Sequence, residues 1–372
     1  MPLSKKHWLL YGLAMGCIAV ICVALWFFLN RGAPYRPSPL TFDGSSDKLQ
    51  RTVVVPTLDT PLPEGKSAIW CVSFQLAWNH LKDDVAKEPL QITSAQPFTD
   101  RLNAATFKEE VIEAKDVYAT AGLAKDNIVQ RIRTEMASKF PHVSAPELDI
   151  PPGGAVAYAY LAAAAKFDLP FFENNEPFLF KDSEGKEMAV TSFGIRKKDD
   201  YAYHRLREQV QVLYCPSGSH DFIVDPCKTS QPYQIVLAWV NRQATLADTL
   251  AQVQERIAAP GATRKELGPN DTFLVPNMAW KITHRFKELE GKDKPFVNPA
   301  LRGLYIDAAM QTIQFRLDRS GADLFSESKL PVKPTPTHFN FTRPFLIIMQ
   351  KRGSTQPFFV MWVGNAELLE KR

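Results

Sequence analysis

The sequence predicts an α+β fold: one large domain with a big central β-sheet, further sheets and surrounding helices. Three observations predict it. Helical patterns gather before residue 141 and strand patterns after residue 155, the connections between strands are long, and there is no internal repeat. The 372 residues are 45% hydrophobic and 23% charged, which is globular composition. Length alone would also allow two domains, but the separation of helices from strands favours one, over residues 63–372.

The chain begins with a membrane-type segment. Residues 1–7 carry Lys5 and Lys6, and Trp8 to Leu29 follow without a formal charge. About 22 apolar residues make a helix of roughly 33 Å, enough for a bilayer core. The run is too long for a signal-peptide core and ends in Phe27, Phe28, Leu29 and Asn30 rather than in small residues. It therefore reads as an uncleaved anchor over 8–29. Lys5 and Lys6 outweigh Arg31 and Arg36 in position, so residues 1–7 are expected in the cytoplasm and the domain outside it. Residues 30–62, rich in Pro, Ser, Gly and Asp, read as a stalk with no core of its own.

Ser67 to Leu81 places Ile69, Val72, Leu76 and Ala77 at helical spacing and predicts a buried helix. Thr106–Ala119 and Asp126–Phe140 read as amphipathic helices. The second has Ile128, Ile132 and Met136 on one face and ends at Pro141. Val156–Phe167 is almost wholly apolar, as in a strand buried on both faces. Pro177–Phe180, the turn Asp182-Ser183-Glu184-Gly185 and Met188–Ile195 form a hairpin pattern. Strands are predicted at Val210–Tyr214, Gln234–Val240, Thr272–Val275, Met310–Leu317, Phe345–Met349 and Phe358–Val363, with a helix at Leu246–Ala259.

Several functions find no support. A net charge of +4 is too weak to predict a nucleic-acid partner. Neither HExxH nor paired CxxC spacing occurs, so no metal is expected. The seven histidines are scattered, and no GxSxG elbow or phosphate loop is present. Ser217-Gly218-Ser219-His220 reads as a polar insert and Lys197-Lys198-Asp199-Asp200 as a solvated turn. The protein is not expected to be an enzyme. Five cysteines are too few for a disulfide scaffold. Cys17 and Cys22 lie in the anchor, while Cys215 and Cys227 flank the polar insert. They form a candidate disulfide, with three unpaired thiols as the equal alternative.

Near the C-terminus, Phe339-Asn340-Phe341-Thr342-Arg343-Pro344-Phe345 before an apolar strand resembles the signature of the serpin family, with Thr342 where Asn or Asp is usual. Arg319-Ser320-Gly321-Ala322 is similar to the family's hinge before its reactive loop. Ala165–Phe171 resembles a Lys-x-x-Trp-x-x-Pro-Phe segment with Phe167 replacing Trp. Phe178–Val190, Phe273-Leu274-Val275-Pro276 and Phe359–Asn365 follow in the family's order. By position, Ser73 matches a residue that gates opening of the family's sheet. Trp70, Ala159 and Gln311 stand where the family tends to use Ser, Asn and His.

The resemblance implies a monomeric, suicide-substrate inhibitor of a serine- or cysteine-class protease, whose exposed loop enters the central sheet after cleavage. An inserting strand alternates faces. From Gly321, one face would carry Ala322, Leu324, Ser326, Ser328, Leu330 and Val332, which is compatible with insertion. Leu324, Phe325 and Glu327 interrupt the usual small residues, and Pro331, Pro334 and Pro336 cannot donate ladder bonds. Counting from the hinge puts the scissile bond at Thr335-Pro336, and counting back from Pro344 puts it at Lys333-Pro334. Lys329-Leu330 is the nearby basic site without proline. A non-inhibitory, membrane-tethered interaction module is the alternative. The segment between Leu81 and Thr106 is much shorter than the family's, so the resemblance implies that the region where charged polysaccharides dock in some members is reduced. A heparin-type cofactor is not expected, nor any other.

Overall fold

Long-range strand pairing decides most of the architecture. A computed structural model describes residues 39–164, 167–196, 201–216, 220–259, 265–319 and 338–372. Short strands β1 (Phe42–Ser45), β2 (Thr52–Val54) and β3 (Ser67–Cys71) precede helix α1 (Val72–His80), which continues as a π-helical turn over Leu81–Ala86. Helix α2 (Gln96–Ala104), strand β4 (Val117–Leu123) and helix α3 (Ile128–Lys139) follow. Next come β5 (Gly154–Ala164), β6 (Phe172–Lys181), β7 (Glu187–Ile195), α4 (Tyr201–Gln209), β8 (Gln211–Tyr214), β9 (Phe222–Asp225) and β10 (Tyr233–Trp239). After α5 (Leu246–Ala258) lie β11 (Lys265–Glu266), β12 (Thr272–Pro276), β13 (Met278–Arg285) and β14 (Tyr305–Leu317). The chain closes with β15 (His338–Asn340), β16 (Phe345–Lys351) and β17 (Pro357–Val363).

Three sheets result. The first has five strands in the order β1-β13-β14-β5-β4, the second eight in the order β11-β8-β9-β10-β16-β17-β3-β2, and the third four in the order β15-β12-β7-β6. The main core lies between the sheets and α1, and its largest fully buried side chains include Trp70, Trp78, Trp280, Phe74 and Phe193. A smaller core forms where Ile128, Ile132 and Met136 of α3 cover Tyr118, Tyr158 and Tyr160. That matches the helical face predicted for this segment.

Three expectations are corrected. The buried helix over Ser67–Leu81 begins only at Val72, because Ser67–Cys71 is a strand. Trp70 pairs with Val360 of β17 on one side, and Val54 of β2 pairs with Ile69 on the other. An apolar run this short does not distinguish strand from helix until a partner strand is present. Thr106–Ala119 is not a helix. Two 3-10 turns lead into β4, whose Val117, Tyr118 and Thr120 favour a sheet and pair with β5.

The stalk assigned to 30–62 does not extend that far. β1 lies parallel to β13, from Phe42 opposite Trp280 to Ser45 opposite Thr283, and residues 39–62 belong to the domain. Pro39 and Pro56 fall outside the strands, where no ladder bond is lost. The remainder, 30–38, and the anchor 8–29 lie outside the described residues, among which no helix is long and apolar enough to cross a membrane.

No disulfide joins Cys215 to Cys227. Register explains why they stay apart. Tyr214 pairs with Ile223 near the turn of the β8–β9 hairpin, while Gln211 pairs with Asp225 at its open end, and Lys228 N–H donates to the Gln209 carbonyl beyond it. About six strand positions, roughly 20 Å, separate the two cysteines, against a disulfide Cα span near 4.4–6.8 Å.

Candidate functional site

The site is a seam between β5 and β14. These neighbours run parallel, from Tyr305 opposite Gly154 to Arg316 opposite Ala164, with one bulge between Ile306 and Ala308. β13 and β4 flank the pair in antiparallel fashion. Register aligns Ala119, Ala159, Gln311 and His284 in a row across four strands. On the core side, the Ser73 hydroxyl of α1 donates to Gln311 Oε1 at 3.2 Å, and Cys71 Sγ lies 3.1 Å from Ser73 Oγ. Gln311 is fully buried, and its Nε2 has no hydrogen-bond partner among the described residues. Burial pushes the Cys71 thiol up to about 11, so it stays protonated and unreactive.

Of the four gate positions read from sequence, the structure brings Ser73, Ala159 and Gln311 together. Trp70 belongs elsewhere, packed on Phe107 at 4.9 Å between ring centroids. His284 is the member that sequence reasoning missed. It sits beside Gln311 on β13, and its Nδ1 lies 2.7 Å from Ser46 Oγ, just beyond β1. Burial holds it down to about 4; nearby Asp47 and Lys287 act in opposite directions with smaller effect. The imidazole is therefore neutral at physiological pH.

At the top of the seam, Arg319 is pinned to the segment before β6. The Phe171 N–H donates to the Arg319 carbonyl and Arg319 Nε donates to the Phe171 carbonyl, both at 3.0 Å. Beneath it, Phe167 meets Phe171 edge-on at 4.9 Å, with Phe193 and Phe273 at 5.7 and 5.4 Å from Phe171. Phe167 thus fills the aromatic position at which the sequence departs from Trp. Gly194 of β7 has φ +148, and a Cβ there would collide with the Phe273 carbonyl, so β7 and β12 close only around glycine.

The chain re-enters the described structure at β15, on a different sheet. Phe339 pairs with Phe273 of β12, and Thr272 Oγ1 contacts His338 Nδ1 at 2.9 Å and donates to Asn340 Oδ1 at 3.0 Å. Phe339, Phe341 and Phe345 are fully buried, with Phe222 at 5.3 and 5.0 Å from the first two. Arg343 is exposed at the corner between β15 and β16, and Pro344 is half-buried. The signature residues thus anchor a crossing from the four-stranded to the eight-stranded sheet. Hinge residues Ser320, Gly321 and Ala322 and the candidate scissile residues Lys333, Pro334, Thr335 and Pro336 lie outside the described residues.

No protein-family model and no curated protein sequence matches the chain. Solved structures do. Uncleaved ovalbumin superposes with a TM-score of 0.50 over 81% of this chain and 94% of its own, at 8% identity. The chain has the serpin fold. Serpin-12 of Manduca sexta matches over 81% of this chain and 100% of its own, at 12% identity and a TM-score of 0.49. Serpin48 of Tenebrio molitor covers 80% and 92%, at 11% identity and a TM-score of 0.48. In the serpin fold of this chain, β1 extends the five-stranded sheet beyond β13, bringing Ser46 over His284.

Proposed function

We propose that the protein is a serpin-type inhibitor of a serine- or cysteine-class endopeptidase, acting as bait rather than as a catalyst. One observation carries the reading: the parallel β5–β14 seam, at whose upper end the described chain stops at Arg319, two residues past β14. A strand entering between them in the opposite direction would replace one parallel ladder by two antiparallel ones, which are slightly more stable per residue. The alternation from Ala322 to Val332 provides such a strand, small or apolar on one face. On the face toward the main core, the alanines of β5 leave little apolar packing to disrupt.

In this reading the domain is monomeric, tethered by residues 8–29, and works outside the cytosol against a protease met at that membrane. A second reading, a non-inhibitory tethered interaction module, is favoured by one feature. Proline follows both candidate scissile residues, Lys333 and Thr335. Incubating the full chain in detergent with trypsin-, chymotrypsin- and subtilisin-like enzymes separates the two. Inhibition predicts an adduct that survives denaturant. Loop cleavage with no adduct and no rise in Tm would leave only the second reading.

A further inference from the structure

The five-stranded sheet finishes its two edges differently. At one side β1 covers β13. At the other, β4 pairs with β5 alone, and no described strand lies beyond it. An edge strand leaves alternate N–H and C=O groups without ladder partners, a template for a further strand. Here the edge opens into a cleft of about 600 Å³ that follows β4 from Val117 to Gly122. Leu76 and Val85 of α1 and its π turn form one wall, and Ile128 and Arg131 of α3 form the other. That size falls within the range of sites that enclose a ligand.

Acidic side chains outnumber basic ones around the cleft. Asp84, Glu109, Asp126 and Glu135 line it, against Arg131 and Lys139. Arg131 turns inward, with Nη2 donating to the Ala121 carbonyl at 2.7 Å and to Thr120 Oγ1 at 3.1 Å. An added strand therefore gains its ladder bonds at the other positions of β4 unless it displaces this side chain. His80 joins two of the carboxylates, with Nδ1 2.8 Å from Asp84 and Nε2 3.2 Å from Glu109. The Asp84 and Glu109 side chains nonetheless remain 69% and 72% exposed. An occupant that pairs its backbone with β4 would therefore bring cations to this rim.

We propose that the open edge of β4 is a docking site for an extended, basic segment of a partner protein, added as a further strand beside β4. Backbone ladder bonds would supply the affinity. Alternate apolar side chains would face Val85, and Lys or Arg residues would face the carboxylates. Neither the seam nor any inhibitory activity is needed to infer this site.

The test uses the full chain in detergent micelles with two synthetic octapeptides, alternating Lys–Val and alternating Glu–Val. The Lys–Val peptide should bind saturably and slow amide exchange over Val117–Leu123. The Glu–Val peptide should bind at least about tenfold more weakly, and N-methylation of alternate Lys–Val amides should abolish binding. Asp84→Lys with Glu109→Lys, both on the exposed rim, should weaken Lys–Val binding about tenfold without lowering Tm. Equal binding of the two peptides, or protection away from β4, overturns the proposal. So does cross-linking that places residues 1–38, residues 320–337 or a second copy in the cleft of the free protein.

Discussion

β5 and β16 are both interior strands, yet they hold their sheets in opposite ways. Toward the main core β5 presents Ala155, Ala157, Ala159 and Leu161, while β16 presents Phe345, Ile347 and Met349. β5 is joined to β14 by a parallel ladder, whereas β16 lies between β10 and β17, antiparallel to both. Each methylene buried is worth about 0.8 kcal/mol, so the alanines contribute far less packing than the larger side chains. On the face toward the main core the eight-stranded sheet is therefore the more heavily packed, and the five-stranded sheet is the one that the proposed strand insertion would open.

The largest test breaks the eight-stranded sheet at its ion pair. Arg352 Nη1 meets Asp225 at 3.0 Å, while its other nitrogens donate to the Ser230 and Cys227 carbonyls at 2.7 and 2.8 Å. Burial holds the Asp225 carboxyl above the usual range despite that partner. Arg352→Ala should cost about 3–5 kcal/mol in urea unfolding, because a buried carboxylate loses its counter-charge. Ile347→Ala follows at roughly 2–5 kcal/mol through the cavity it leaves; a loss below about 1 kcal/mol would contradict a tightly packed sheet.

The next test concerns pH and should act on the five-stranded sheet. Folded His284 resists the proton that the unfolded chain accepts near 6.5. Its contribution is intact above about pH 6.5, declines as pH falls toward about 4, and is level below, with a total loss of up to roughly 3 kcal/mol. Urea midpoints measured across that window should fall in the wild type and flatten in His284→Gln. If hydrogen exchange at low pH rises first in β16 and β17 rather than in β13 and β14, the comparison fails. The smallest effect is Ser73→Ala, which removes the bond to Gln311 and should cost about 1 kcal/mol by the same melts.

Legibility followed the distance over which each feature is decided. Strands β5, β16 and β17 were readable because burial on both faces writes a continuous apolar run into the sequence. Helix α3 was readable from Ile128, Ile132 and Met136 alone. The signature around Phe339–Phe345 was visible as a resemblance, and so was a cluster holding Ser73, Ala159 and Gln311, although the resemblance also placed Trp70 in it. His284 gave no such signal, since its place beside Gln311 depends on the register of β13 against β14.

By itself, then, the sequence determined the α+β class, the long buried strands, the amphipathic helix and the order of the motifs around the loop. These follow from side-chain period and chain order, which are local. Tertiary structure alone decided that Ser67–Cys71 is a strand and that residues 42–45 extend the central sheet. It also decided that Cys215 and Cys227 lie too far apart to bond, and that Ser46 covers His284. Strands of three to five residues cannot stand without partners, and for β1 and the strand pairing β3–β17 those partners lie more than two hundred residues along the chain.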